Sequence, residues 1–115
     1  MPIKASCHCG AVRFEAPTPV GITRCNCTYC DRVGALWAYC SPDAFRLDSD
    51  PADLIPYSPT EGVHYSCRIC GMVTHGRSPD YERGDGEKLS YNVRMDVEFD
   101  RNSVPITDLD GRHQW

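Results

Sequence analysis

Hydrophobic and polar residues alternate along several short stretches of the chain. Residues 89–95 show the clearest case, with one hydrophobic face formed by Leu89, Tyr91, Val93 and Met95. Residues 11–15 repeat the pattern, with Val12 and Phe14 on one side. Strict alternation is the period of a strand with one buried face. Both stretches are therefore predicted to be β-strands.

Further short hydrophobic stretches predict more strands, at residues 35–40, 45–47, 54–57, 63–66 and 72–75. Pro56 lies within one of these stretches and favours an edge position, because proline cannot donate to a strand ladder. Residues 28–33 are expected to form about one helical turn that stops at Gly34. We expect an exposed polar loop at residues 78–88 and an irregular tail at residues 96–115 whose last residue, Trp115, could pack back.

Composition supports a mainly β chain with little helix. Nine Gly and nine Pro occur among the 115 residues, which is typical of short strands joined by turns. The length fits one domain, residues 1–115, with a modest core. We find no repeat and no linker that would divide the chain.

Charge and hydropathy reduce the number of function classes that the chain fits. The net charge of −4 and the pI near 5.4 give no sign of the basic face of a nucleic-acid binder. No run of 18 apolar residues occurs, so no membrane span is expected. Residues 1–6 lack the apolar stretch of a secretory signal, and we expect a cytoplasmic protein. Eight cysteines in a reducing compartment favour metal binding over disulfides.

Two cysteine pairs predict a closed zinc site. The C-x-C and C-x-x-C pairs are each followed by glycine, and they consist of Cys7, Cys9, Cys67 and Cys70. Four thiolates suit a tetrahedral structural zinc, whose binding free energy can offset the entropy of closing a long loop. The alternatives are reduced buried cysteines or two disulfides, although Cys7 and Cys9 are too close to bridge comfortably.

A second cluster packs three cysteines into six residues: Cys25, Cys27 and Cys30. Three protein ligands leave the fourth position of zinc open, as in catalytic sites. Such a site favours a thiol that loses its proton, which suggests thiol capture and activation. The alternatives are a site closed by Cys40 or a histidine, and a metal-free redox cluster. A spare buried cysteine is the simplest role for Cys40.

The four histidines lack the spacing of a zincin motif. They are His8, His64, His75 and His113. His64 and His75 are interpreted as strand or surface residues, although His64 and Tyr29 are conceivable proton donors.

The motifs together resemble the glutathione-dependent formaldehyde-activating family, which shares its domain with centromere-protein-V-like proteins. They run in order as residues 7–14, 25–30 with Gly34 and Ala35, 65–71, 92–94 and 110–112 near a tryptophan. The resemblance implies coiled antiparallel sheets and a structural zinc on Cys7, Cys9, Cys67 and Cys70. It also implies a second zinc on Cys25, Cys27 and Cys30, near a glutathione site.

The activity that this resemblance implies is condensation of glutathione with formaldehyde, formally a carbon–sulfur lyase reaction. The expected cofactors are two zinc ions, the second of them labile, and the expected partner is a small thiol, glutathione, as co-substrate. The cysteines of the second cluster would then be catalytic. Candidate partners for the glutathione carboxylates are Arg24, Arg32, Arg77 and Arg94.

Two further hypotheses compete with the enzyme. One is a non-catalytic zinc module that binds a protein through an exposed aromatic patch, with Trp37, Tyr39 or Trp115 as candidates. The other is a sensor whose second site responds to zinc or to oxidation. A cleft over residues 25–30 would favour the enzyme.

Overall fold

The computed structural model describes residues 2–59, 61–80, 84 and 86–114. Its strands are β1 (Ile3–Ser6), β2 (Arg13–Ala16), β3 (Ile22–Cys25), β4 (Trp37–Cys40), β5 (Arg46–Leu47), β6 (Leu54–Tyr57), β7 (Val63–Cys67), β8 (Val73–Pro79), β9 (Glu87–Asn92) and β10 (Ile106–Leu109). Two one-turn helices accompany them, α1 (Cys30–Val33) and α2 (Gly111–Gln114). Short 3-10 turns occupy Pro42–Ala44, Pro51–Asp53 and Val93–Met95. The mainly β prediction is confirmed.

The strands form two sheets. The smaller has the order β1-β2-β5, and the larger has the order β10-β3-β4-β9-β8-β7-β6. All pairs are antiparallel except β10 with β3, which run parallel with Leu109 beside Cys25. Strand β6 lies at one edge of the larger sheet, as Pro56 predicted.

One buried cluster joins the two sheets. It draws on β1, β2, β3, β4 and β9, and its members are Ile3, Ala5, Phe14, Ala16, Ile22, Leu36, Ala38, Leu89, Tyr91 and Val93. The alternation at residues 89–95 therefore marks a buried face, except that the strand ends at Asn92 and Met95 is only half-buried. The hydroxyl of Tyr91 donates to the carbonyl of Pro17 at 2.6 Å. The core thus holds the two sheets together beside the cysteine clusters.

The predicted helical turn is present as α1, and it ends where expected. Gly34 caps it with φ 69°, and its N–H donates to the carbonyl of Cys30 at 2.9 Å. Glycine adopts this left-handed conformation without steric cost, which explains the stop.

The tail prediction was wrong in part, because residues 96–114 contain β10 and α2. All four residues of β10 are exposed, so no buried face existed to reveal the strand in the pattern. The predicted loop at residues 78–88 is shorter than expected, since Ser78 pairs with Lys88 and Pro79 with Glu87. Residues 81–83 and 85 of that loop, and Trp115, lie outside the described residues.

His75 on β8 is buried within a set of aromatic rings. Its ring centroid lies 4.8 Å from those of Phe45 and Tyr65, and Nδ1 lies 2.8 Å from the hydroxyl of Thr74. Burial, aided by the charge of Arg77, lowers the pKa of His75 to about 4. The imidazole is therefore neutral in the folded chain near neutral pH.

We expect acid to destabilise the fold through His75. The unfolded chain binds this proton near pH 6.5 and the folded chain only near pH 4, so stability falls as pH drops through that window. The loss should approach about 3 kcal/mol at pH 4. Urea unfolding of wild type and His75→Phe from pH 7 to 4 measures this loss. Protonation of the cysteine thiolates affects both proteins, so the difference between their pH profiles reports His75. Parallel pH profiles would contradict it.

Among the described residues, no helix is long and apolar enough to cross a membrane.

Candidate metal centres

The first cysteine cluster gathers four sulfurs from distant parts of the chain. Cys7 and Cys9 follow β1, Cys67 ends β7, and Cys70 lies in the turn before β8. The four Sγ atoms all lie within 4.8 Å of one another. Two separations are 3.7 Å, for Cys7 and Cys9, and 3.5 Å, for Cys9 and Cys67. Zinc–sulfur bonds of about 2.3 Å in a tetrahedron require sulfurs about 3.8 Å apart, so the set fits zinc.

Backbone N–H groups point at these sulfurs. Val12 donates to Cys7 at 3.3 Å, and Ile69 and Cys70 donate to Cys67 at 3.3 and 3.4 Å. The glycines that follow the pairs have φ of 81° for Gly10 and 77° for Gly71. Such turns are open to glycine and strained for other residues, which explains the C-G ending of both pairs.

The four sulfurs of the first cluster do not ionise alike. Burial works to raise the pKa of Cys70, but the N–H groups of Cys9 and Met72 and nearby sulfurs outweigh it, and the pKa falls to about 6. The N–H of Ala11 works to lower the pKa of Cys9, but desolvation and the neighbouring sulfurs raise it to about 11. Four thiolates in contact repel one another, so full ionisation of this set calls for a bound cation.

The second cluster brings together Cys25 at the end of β3, Cys27 in the following loop and Cys30 at the start of α1. Their Sγ atoms also lie within 4.8 Å of one another. The N–H of Cys27 donates to Cys25 at 3.4 Å, and that of Cys30 donates to Cys27 at 3.3 Å. The indole Nε1 of Trp37 donates to Cys30 at 3.4 Å. These donors stabilise thiolates, and the set suits zinc or another soft cation.

No fourth ligand joins this cluster in the part of the chain that the structure describes. Cys40 does not belong to this cluster. It lies half-buried at the end of β4, beside Leu89 of β9. Burial raises the pKa of Cys40 to about 11, which suits an inert thiol. The described histidines also stay out of both cysteine sets.

Cys27 is the most readily ionised thiol of the second cluster. Burial works to raise its pKa, but the N–H groups of Cys30 and Tyr29 and the two neighbouring sulfurs outweigh burial, and the net shift is downward. Burial raises the pKa of Cys30 to about 12 and also raises that of Cys25, although the N–H groups of Cys27 and Gly111 oppose the latter. Negative charge therefore concentrates at the half-exposed Cys27.

A row of four rings borders the second cluster, and we call it the aromatic row: Tyr57, Tyr29, His64 and Trp37. Tyr29 stacks on His64 with centroids 4.1 Å apart and on Tyr57 at 5.8 Å, and Trp37 lies 5.7 Å from His64. The His64 Nδ1 atom is buried without a hydrogen-bond partner in the described part of the chain. Burial lowers the pKa of His64. The ring is therefore neutral near neutral pH.

Comparison with known proteins places this geometry in a family. The sequence profile of the family described as "Glutathione-dependent formaldehyde-activating enzyme", abbreviated GFA, matches residues 2–93. The chain belongs to the GFA family. The predicted resemblance is thereby confirmed.

Proteins similar to this GFA-family chain include a curated relative and a solved structure. A Halomonas elongata protein named "Putative glutathione-dependent formaldehyde-activating enzyme" is 32% identical over 78 residues, which are 66% of this chain and 47% of that protein. The chain thus spans about half the length of this curated relative. A crystal structure of a Rhodobacter sphaeroides protein has a TM-score of 0.75 and 29% identity, and it covers 91% of this chain and 100% of that one.

The four candidate arginines of the GFA-family chain differ in their partners. Arg24 forms a two-point ion pair with Asp108 at 2.7 and 3.2 Å, and Arg77 lies 3.6 Å from Glu87. Arg32 and Arg94 instead donate to carbonyls, those of Thr28 at 3.0 Å and Gly34 at 2.6 Å. These two guanidinium groups lie at the two ends of α1, which carries Cys30, and neither forms an ion pair among the residues that the structure describes.

The aromatic residues suggested for a protein-binding patch differ in exposure, and Trp115 lies outside the described residues. Trp37 is 3% exposed and donates to Cys30. Tyr39 is 42% exposed, and the ammonium of Lys88 lies 4.7 Å from its ring centroid. Two surface grooves, of about 360 and 370 Å³, lie away from the seven clustered cysteines, none of which lines them.

Sequence reasoning missed two polar residues that position the second cluster. The Asn92 amide donates to the Val73 carbonyl at 2.9 Å and accepts from the Leu36 N–H at 3.2 Å. It thereby ties β8 to the chain segment that carries Trp37. Arg112 donates to the carbonyl of Asn26. In the sequence, Asn92 and Arg112 stand out only as members of the N-V-R motif at residues 92–94 and the D-G-R motif at residues 110–112.

Proposed function

We propose that the chain is a zinc-dependent enzyme in which Cys25, Cys27 and Cys30 hold a zinc ion that binds a small thiol. Glutathione is the proposed thiol and formaldehyde, or a similar small electrophile, its partner, so the reverse reaction is a carbon–sulfur lyase reaction. One observation carries this proposal: three sulfurs lie within 4.8 Å with no fourth ligand beside them in the described chain. The names of the family and of the Halomonas relative support the choice of substrates.

Zinc bound there would supply a Lewis acid that lowers the pKa of a thiol in its open position. In the reaction the thiol S–H bond breaks, a carbon–sulfur bond forms and the carbonyl oxygen gains the proton. His64 is suited to accept the thiol proton, because its imidazole is neutral. Burial raises the pKa of Tyr29, which keeps its phenol protonated and able to donate to the carbonyl oxygen.

Arg32 and Arg94 are proposed to pair with the carboxylates of the thiol. Arg32 lies on the helix that carries Cys30, Arg94 donates to the carbonyl of Gly34 at the end of that helix, and neither arginine forms an ion pair in the described chain. Arg24 and Arg77 are less suited, since each already faces a carboxylate. Bidentate pairing with a carboxylate is the geometry that a guanidinium group favours.

The four-cysteine cluster is proposed to hold a closed structural zinc. It joins residues 7–9 to residues 67–70 and leaves no ligand position for a substrate. Because the core connects both sheets, we propose that residues 1–115 act as one domain. None of the eight cysteines, all of which the structure describes, forms a disulfide, and we propose the cytoplasm, a reducing compartment, as the location.

The test is to count zinc per chain before and after a mild chelator, with and without glutathione. We expect two zinc ions, one of which is lost readily, because three ligands hold it less firmly than four. Glutathione should slow that loss by occupying the open position, whereas S-methylglutathione, which lacks a thiol, should not. A single zinc per chain, or equal protection by both compounds, would contradict the proposal.

A further inference from the structure

Asn26 lies between two cysteines of the second cluster, and every one of its hydrogen-bonding groups is bound to the chain segment 109–112. Its N–H donates to the Leu109 carbonyl at 3.1 Å, and its side-chain Nδ2 donates to Asp110 at 2.9 Å. Its Oδ1 accepts from the Arg112 N–H at 3.0 Å, and its carbonyl accepts from the Arg112 guanidinium at 3.1 Å. A loop residue with no spare polar group is fixed in place.

Arg112 also reaches the other end of the cysteine loop. Its guanidinium lies 3.0 Å from the carboxylate of Asp31, which is in the first turn of α1 beside Cys30. One side chain therefore contacts both Asn26, between Cys25 and Cys27, and the helix that carries the third sulfur. The parallel pairing of β10 with β3 delivers this segment to the loop.

We propose that residues 109–112 are a clasp that sets the spacing of the three sulfurs, with Arg112 as its main positioning residue. The three sulfurs lie within six residues of one loop, and an unrestrained loop would lose conformational entropy on gathering them around a cation. The clasp holds the sulfurs together before a cation binds at this cluster. Residues 109–112 lie beyond the profile match at 2–93, so that match alone does not identify the clasp.

The clasp extends the proposed function, because it concerns the same three-cysteine site. Its contribution should appear in metal affinity more than in folding. The Arg112–Asp31 pair is about half exposed and contributes little to stability by itself. Residues that support metal ligands in this way typically change affinity by about 10- to 100-fold.

The test is a Co²⁺ titration of the full chain under reducing conditions, followed through the sulfur-to-cobalt charge-transfer band. It starts from the metal-free chain, which should fold as its first site fills, so that binding at the second site is measured on the folded chain. We expect wild type to bind two Co²⁺ and Arg112→Ala to bind the second about 10- to 100-fold more weakly, with the first unchanged. Arg112→Lys should recover part of the affinity. Asn26→Asp places a carboxylate against Asp110 and should weaken Co²⁺ binding at the second site by a similar factor. This variant replaces Arg112→Ala in the test if Arg112→Ala does not fold.

Arg24→Ala is the matched control. It removes an ion pair with Asp108 from the same two strands but leaves the contacts to Asn26 in place. If Arg24→Ala and Arg112→Ala weaken Co²⁺ binding at the second site equally, the clasp is overturned, whereas the proposed three-cysteine site still stands. Unchanged second-site affinity in Arg112→Ala and Asn26→Asp would do the same. A wild type that binds a single Co²⁺ would overturn both the clasp and the proposed function.

Discussion

Cys67→Ser should leave little folded protein. The Cys67 sulfur is fully buried and accepts two backbone N–H groups, and it lies 3.5 Å from Cys9. A structural zinc site contributes on the order of 10 kcal/mol, which is comparable with the whole stability of a small domain, about 5 to 15 kcal/mol. Loss of one thiolate should therefore unfold the chain. Circular dichroism and the soluble yield measure this directly.

Cys40→Ser is the control for this substitution. Cys40 lies half-buried in β4 and outside both clusters, so the same chemical change should cost only about 1 to 2 kcal/mol. If Cys67→Ser unfolds no more readily than Cys40→Ser, the first cluster does not hold the fold together. Removal of metal from wild type with a strong chelator should reproduce the effect of Cys67→Ser, because the same bonds are lost.

Cys27→Ser should give the opposite result, a folded chain without the second metal. The Cys27 side chain is half-exposed, and the core joining the two sheets does not include it. We expect metal per chain to fall from two ions to one, with second-site affinity reduced at least about a hundredfold. Glutathione should no longer protect a labile ion. Metal analysis together with thermal unfolding measures both effects.

Thr28→Ala is the neighbouring control, because Thr28 is exposed and its contact to Arg32 uses only the backbone carbonyl. It should keep two metal ions and glutathione protection. If Cys27→Ser instead unfolds the chain as Cys67→Ser does, the second cluster is structural and the enzyme proposal fails. If it keeps two metal ions, the three sulfurs are not the ligands.

The sequence predicted the local part of each cysteine grouping, because a C-x-C or C-x-x-C pair brings two sulfurs together through one tight turn. Joining Cys7 and Cys9 to Cys67 and Cys70 came instead from the four ligands that a closed zinc site needs. Gly34 likewise marked the end of α1, since positive φ is a property of a single residue. These predictions needed no knowledge of which strands pair.

The clasp could not be predicted from spacing, because its contacts join residues 81 to 86 positions apart. They depend on the parallel pairing of β10, and that strand is exposed on both faces and shows no hydrophobic pattern. Four arginines were named as candidates, and Arg112 was not among them. The stacking of Tyr29 on His64 depends in the same way on tertiary packing.

Pro56 has a consequence for how copies of the chain meet. Strand β6 ends the larger sheet and exposes Ile55 and Tyr57. An edge strand of this kind is a template to which a strand from another molecule can add. Proline has no N–H, so the hydrogen-bond ladder that such an addition needs is interrupted in the middle of β6. The sheet is thereby protected at this edge against growth into aggregates.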